Sequence, residues 1–343
     1  MPLLSRDAAS VLLSFLDAED TERARKSEWL MASNAASLST SAYVDMQADA
    51  VAATSPSGGC CGLTSLTRDL YPRLTSMRVE SNNLRVDSAR ARYRLGTFLN
   101  SRDFGTRLLS LDLSRNGLRD NGLAHLSHFV RLQELNLSRN SIRGSGLKHI
   151  ETLTHLTSLD LSGNSIGSCG ALESLVARMP QLLSLQLRDN NVSSTAVSRI
   201  VEHLPSLRTF GLSGALGKRK MSAFGHLARL RDIQALDLSR NRLVEVTEHG
   251  WAQLANLKHL TSLNVDSAGI GQSSSLLGIS TLTQLVHLNL SHNKIGDDGA
   301  KYLSSLWRLE RLDIRGSNLS LRGVQVLCSC AGTGTCCVDA GFN

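Results

Sequence analysis

The sequence predicts an α/β solenoid. Short parallel strands form its concave face, helices or tight turns form its convex face, and a small helical segment precedes it. Three observations carry this expectation. First, a spacing template recurs: apolar, two free, apolar, one free, apolar, two free, Asn, one free, apolar. It starts at Leu74, Leu108, Leu132, Leu156, Leu182, Leu207, Ile233, Leu260, Leu285 and Leu309, at intervals of 34, 24, 24, 26, 25, 26, 27, 25 and 24 residues. A period of this size marks a stacked repeat array. Second, the half of each repeat that follows carries apolar residues at every third position, as in Leu147, Ile150, Leu153 and Leu156. That spacing is a helical or tight-turn stripe. Third, the chain is 41% apolar but only 4% aromatic, which suits a core filled by aliphatic side chains.

Each element follows from local pattern. Residues 1–32 hold an apolar cluster (Val11, Leu12, Leu13, Phe15, Leu16), then Asp17 and Asp20, either of which could cap a second helix. Residues 33–62 are rich in Ser, Ala and Gly and read as a linker. The array spans residues 63–327, about ten repeats. In Leu111–Leu113 or Leu288–Leu290, alternation puts both leucines on one face of a strand. One strand cannot bury that face alone, so repeats stack at about 4.8 Å.

The Asn column (Asn82, Asn116, Asn140, Asn164, Asn190, Asn241, Asn293) stands where the chain leaves the strand. Its carboxamide can satisfy backbone groups that the turn leaves without sheet partners. Ala215 and Ala268 break the column, so local irregularity is expected there, and Ser317 is a weak substitute. Gly122, Gly146, Gly170, Gly299 and Gly323 open the return segments, where a close backbone approach or a positive φ is expected. The segments IRGSGLKHI (142–150) and IGDDGAKYL (295–303) resemble the GALA class of leucine-rich repeats, and the resemblance covers residues 74 to about 327. It implies a curved leucine-rich-repeat solenoid that acts by binding protein.

Composition narrows the function. No run approaches 18 apolar residues, and Asp7, Asp17, Glu19 and Asp20 interrupt the N-terminus, so neither a membrane span nor a signal peptide is expected. Seven cysteines form no regular framework, which fits a reducing, cytoplasmic or nuclear setting. Cys328, Cys330, Cys336 and Cys337 fall in the tail, residues 328–343. Their spacing matches no common zinc motif, and a thiol-bearing tail or an end cap over the last repeat fits better. GLSGALGKR has the wrong glycine spacing for a phosphate loop, with Arg219 where Ser or Thr is required. No HExxH, GxSxG or kinase signature occurs. We therefore expect no enzyme activity, catalytic residue, metal or cofactor.

Charge is uneven. Residues 1–70 hold 5 Lys/Arg and 9 Asp/Glu (−4); the remainder holds 32 and 21 (+11), giving the overall +7. A basic array favours acidic partners. Two basic loops stand out: Arg90, Arg92 and Arg94, and Lys218, Arg219 and Lys220. Aromatic interleaving is sparse around them, which argues against nucleic acid. Strand alternation places a central column on the concave face: Asp112, Asn136, Asp160, Gln186, Asp237, Asn289 and Asp313. Beside it stand a mostly serine column and the residues Arg115, Arg139, Arg188, Arg240, His292 and Arg315. Arginine commonly anchors interfaces, so these are the candidate partner-binding residues.

The N-terminus carries a second resemblance. Pro2, the run VLLSFLDAED (11–20) and Trp29 are similar to an F-box, although Thr21, Glu22 and Arg23 stand where that family carries apolar residues. The resemblance implies docking onto the adaptor of a cullin-type ubiquitin ligase through Leu13, Phe15, Leu16 and Trp29, with the repeat face selecting a substrate. The alternative is a scaffold without a ligase role, whose N-terminus only caps the first repeat.

Overall fold

The computed structural model describes residues 11–12, 41–45, 75–80, 105–167, 170–216, 220–271, 273–330 and 337–339. The chain divides into two compact units, residues 1–164 and 165–343.

The first unit contains parallel strands β1 (Val11–Leu12), β2 (Ser41–Asp45), β3 (Ser76–Glu80), β4 (Ser110–Asp112), β5 (Glu134–Asn136) and β6 (Ser158–Asp160). Each pairs with its sequence neighbour. Register follows from the template: Leu111 lies opposite Leu135, and Leu135 opposite Leu159. A slip by one residue would turn these leucines out of the core.

Two of these strands correct the sequence reading. Val11–Leu12 is extended where a helical segment was expected, and Ser41–Asp45 pairs along β3 inside the expected linker. SAYVD has the β-favouring Tyr43 and Val44, which a count of Ser and Ala overlooks. The rest of residues 1–32 and 33–62 lies outside the described residues.

The second unit holds β7 (Ser184–Gln186), β8 (Thr209–Gly211), β9 (Ala235–Asp237), β10 (Ser262–Asn264), β11 (His287–Asn289), β12 (Arg311–Asp313) and β13 (Cys337–Asp339), again parallel and paired in order. β13 comes from the cysteine-bearing tail. Cys337 sits opposite Arg311, so part of that tail adds a strand beside the last repeat.

Return segments differ between the units. Among the described residues of the first unit, the segments that follow β4 and β5 are 3-10 turns, Asp120–Leu126 and Gly144–Ile150. In the second, helices such as Gly170–Ala177, Ser194–His203 and Gly296–Leu303 are α. Both 3-10 segments of the first unit belong to 24-residue repeats, but length alone does not decide: the 24-residue repeat from Leu285 holds the α-helix Gly296–Leu303, and the 27-residue repeat from Ile233 holds the 3-10 segments Leu243–Glu245 and Leu254–Asn256. The α-helices belong mainly to repeats of 25–27 residues.

The core is a stack of leucines: Leu108, Leu113, Leu132 and Leu137 in the first unit, and Leu182, Leu187, Leu207 and Leu212 in the second, are fully buried. The longest interval in the second unit, from Ile233 to Leu260, admits a larger residue. There the buried Trp251 meets Phe224 edge-on at 4.9 Å between ring centroids. Gly278 makes room for it, because a Cβ at 278 would stand 2.4 Å from Trp251 Cβ.

Four of the five opening glycines are sites of close approach, and none of the five has a positive φ. A Cβ on Gly146 would lie 2.8 Å from Asp120 Oδ1, and one on Gly299 would lie 2.7 Å from Ile295 Cγ2; Gly170 has open space. The Asp120 contact reveals a clasp between repeats. Asp120 Oδ1 accepts the Arg143 N–H at 2.7 Å, and Ser145 Oγ donates to Asp120 Oδ2. Asp297 repeats the arrangement on Ser320, whose N–H donates at 2.8 Å. Each carboxylate thus caps the next repeat's return segment, a role usually filled from within a helix. Asp120→Ala is expected to lower stability by about 1 kcal/mol in urea denaturation, the usual cost of a lost N-cap.

Candidate partner-binding surface

The Asn column is structural, as the sequence implies. Asn140 is fully buried. Its Oδ1 accepts the N–H groups of Asn116 (2.9 Å) and Leu118 (3.1 Å), and its Nδ2 donates to the carbonyls of Leu113 (2.7 Å) and Leu137 (3.0 Å). Asn164, Asn241 and Asn293 bridge neighbouring repeats in the same way. At Ala215 and Ala268 the chain compensates. The Val192 N–H reaches the Ala215 carbonyl at 2.5 Å, and the Leu243 N–H reaches the Ala268 carbonyl at 2.5 Å, so the backbone accepts what a carboxamide takes elsewhere. Ser317 keeps one link, donating its hydroxyl to the Leu290 carbonyl at 3.1 Å.

The central column carries a duty that the sequence reading missed. Asp112 Oδ1 accepts the N–H two residues ahead at 2.9 Å, and so do Asn136, Asp160, Asp237, Asn264, Asn289 and Asp313 at 2.8–3.2 Å. These Asx turns close the strand end and explain why seven of the ten residues in this column are Asp or Asn, the others being Arg78, Gln186 and Gly211. Each side chain spends one oxygen on the turn and keeps its second polar atom for the half-buried strand face. The serine column is largely inside rather than a surface, with Ser213 1%, Ser239 4% and Ser291 2% exposed.

The next column is where the chain reverses. Arg115, Arg139, Asp189, Arg240, Ser267 and His292 all have φ between 53° and 59°, and all are exposed. Gly163, Gly214 and Gly316 fill the same position elsewhere, with φ of 58–65°. The left-handed conformation costs an ordinary residue about 1–2 kcal/mol relative to right-handed backbone. The side chains lean onto the following repeat: a Cβ on Gly163 would meet Arg139 Cγ at 3.0 Å, and one on Gly316 would meet the His292 ring at 3.1 Å. Three glycines in one column were the available signal for this geometry.

In the second unit the reversal column and the strand face join in a polar network. Asp266 Oδ1 lies 2.7 Å from His292 Nδ1 and 2.8 Å from Ser291 Oγ. Asp313 pairs with Arg315 through two contacts, 2.9 and 2.5 Å, and Arg315 also reaches Asp339 at 3.5 Å. Burial pushes both Asp266 and Asp313 upward. The hydrogen bonds from His292, Ser291 and Ser267 to Asp266, and from Arg315 to Asp313, prevail and hold both below the usual carboxylate range. Hydrogen bonds from Ser320 do the same for Asp297. A depressed carboxylate contributes stability above its unfolded pKa of about 3.9 and loses it as pH falls through the lower folded value. Thermal melts of the chain should therefore drop below about pH 4, and Asp266→Asn should flatten that dependence.

Arg188 is engaged with Asp189 at 3.2 Å on the surface. Leu13, Phe15, Leu16, Trp29, Arg90, Arg92, Arg94, Lys218 and Arg219 lie outside the described residues, and Lys220 opens the helix Lys220–Leu227. Among the described residues no cluster of His, Cys, Asp or Glu could hold a metal ion, and no helix is long and apolar enough to cross a membrane.

Two family models, both described as leucine rich repeat, match residues 106–166 and 281–304. Among solved structures, an internalin (InlF) from Listeria monocytogenes aligns with a TM-score of 0.54 at 20% identity, covering 80% of this chain and 70% of that one. An internalin C2 from the same organism gives 0.42 at 24% identity, covering 59% and 76%. The leucine-rich repeat-containing protein LegL7 from Legionella pneumophila gives 0.48 at 22% identity, covering 66% and 82%. No curated protein matches the sequence. At such identity the InlF likeness concerns the fold alone. The matched stretches, the in-register parallel strands and the Asn ladder identify the chain as a leucine-rich-repeat solenoid.

Proposed function

We propose that the repeats form a protein-interaction module that engages its partner on the strand face and along the left-handed column at its edge. One observation carries the reading. Arg115 and Arg139 in the first unit, and Arg240 and His292 in the second, are large and exposed at a backbone position that glycine fills without strain. Bulky residues held at such a position are candidates for function. Fold demands explain the Asn ladder and the Asx column, but they do not require arginine here. Exchange to glycine supplies the test. Arg139→Gly and Arg240→Gly should leave stability unchanged or raise it by up to about 1 kcal/mol, because relief of strain is offset by a more flexible unfolded chain. Proximity labelling in cells that express the chain should enrich a protein with the parent and lose it with these variants. Equal enrichment by parent and variants would remove the column from recognition.

The sharper form of this proposal is a substrate receptor of a cullin-type ubiquitin ligase. Its support is the similarity of residues 2–29 to an F-box. The short strand at Val11–Leu12 departs from the helical module that similarity implies. Leu16→Asp or Trp29→Ala should abolish association with the host's ligase adaptor while leaving the circular dichroism of the repeats unchanged. Absence of adaptor binding by the parent chain would leave a scaffold that binds one partner without a ligase.

A further inference from the structure

The strand face of the second unit has one place where uncommitted hydrogen-bond donors gather. A shallow cavity of about 220 Å³ lies over β10, β11 and β12, lined by Ser262, Asn264, His287, Asn289, Arg311 and Asp313. The pairing puts Ser262, His287 and Arg311 in one row and Asn264, Asn289 and Asp313 in the next. Neighbours within a row are about 4.8 Å apart, and the rows about 6.6 Å.

The Asx turns decide which way the carboxamides face. Asn264 Oδ1 is held by the Asp266 N–H at 3.1 Å. Asn289 Oδ1 is held by the Ser291 N–H at 3.0 Å, with Ser291 Oγ at 2.6 Å. With both oxygens committed, both Nδ2 groups are left as donors, and among the described residues neither has an acceptor. His287 adds a third donor. Its Nδ1 is buried without a hydrogen-bond partner, so a proton on Nε2 avoids burying an unpaired N–H. Arg311 is exposed and forms no ion pair among the described residues. The two acids nearby are already engaged, Asp313 by Arg315 and Asp266 by His292 and Ser291. Where the other repeats present Asp112, Asp160 or Asp237, two adjacent repeats here present Asn264 and Asn289, and the one carboxylate lining the cavity, Asp313, is paired with Arg315.

We propose that this cavity receives a carboxylate side chain from an acidic segment of the protein partner. The proposal rests on the interaction-module reading and gives that module a chemical preference. Two carboxamide N–H groups about 4.8 Å apart can bracket the two oxygens of one carboxylate, with the Arg311 guanidinium supplying the compensating charge.

The Asx turn also provides a clean test. Asn289→Asp keeps the oxygen that closes the turn and replaces the outward donor with an acceptor. The full chain is titrated with fluorescein-labelled hexaglutamate and read by anisotropy, with hexaglutamine and hexalysine as controls. Hexaglutamate should bind in preference to both, and Asn289→Asp and Arg311→Gln should each weaken it about tenfold or more while the thermal melt stays unchanged. Absence of hexaglutamate binding, binding that Asn289→Asp and Arg311→Gln leave intact, or a preference for hexalysine would each overturn the proposal. Should it fail while Arg139→Gly and Arg240→Gly still abolish partner enrichment, only the acidic subsite is lost and the module stands.

Discussion

Asn140→Ala should destabilise the first unit by about 3 kcal/mol, as two buried N–H groups and two buried carbonyls lose their partner. The N–H groups are those of Asn116 and Leu118, and the carbonyls those of Leu113 and Leu137. A solenoid adds stability repeat by repeat, so the loss should appear first at the two repeats this residue joins. Hydrogen exchange at Leu118 and Leu113, with urea denaturation for the total, measures it. Asn140→Asp should be no milder, because a buried carboxylate would face the Leu113 carbonyl that Nδ2 now meets at 2.7 Å. A loss under about 1 kcal/mol would mean that the backbone closes over the gap as it does at Ala215 and Ala268.

Trp251→Ala should cost about 3–5 kcal/mol, the range for removing a large buried aromatic. The residue is fully buried, and its edge contact with Phe224 disappears with it. Repacking has little room to help, because Gly278 leaves only a backbone wall against Trp251. Trp251→Phe should be much milder, since it also removes the indole N–H that is buried without a partner. Thermal melts of both variants in parallel give the comparison; equal losses would show that the indole position itself is needed.

The template made most of the fold legible. Leu111, Leu135 and Leu159 stack because the same spacing recurs. The kind of return helix was not legible, because a stripe at every third residue serves a 3-10 turn and an α-helix alike. Strands β1 and β2 escaped notice because neither VL nor SAYVD is followed by the asparagine of the template. The surface was only partly legible where one residue type serves two purposes. Asp and Asn in the central column suggested an interface, and their first use is to close a turn. The serines beside them suggested surface and are tucked beneath it. Arg115, Arg139 and Arg240 were read as candidate contacts from residue type and position beside the strand face; their left-handed backbone adds a strain argument that the sequence could not supply.

Site-specific photocrosslinking tests most directly whether the left-handed column meets the partner. A photoreactive residue is placed in turn at Arg139 and Arg240, on the left-handed column, and at Lys148 and Arg229, exposed on the return side. Arg139 or Arg240 should crosslink the enriched partner, and Lys148 and Arg229 should not. Crosslinks confined to Lys148 or Arg229 would contradict this and place recognition on the opposite side of the repeats.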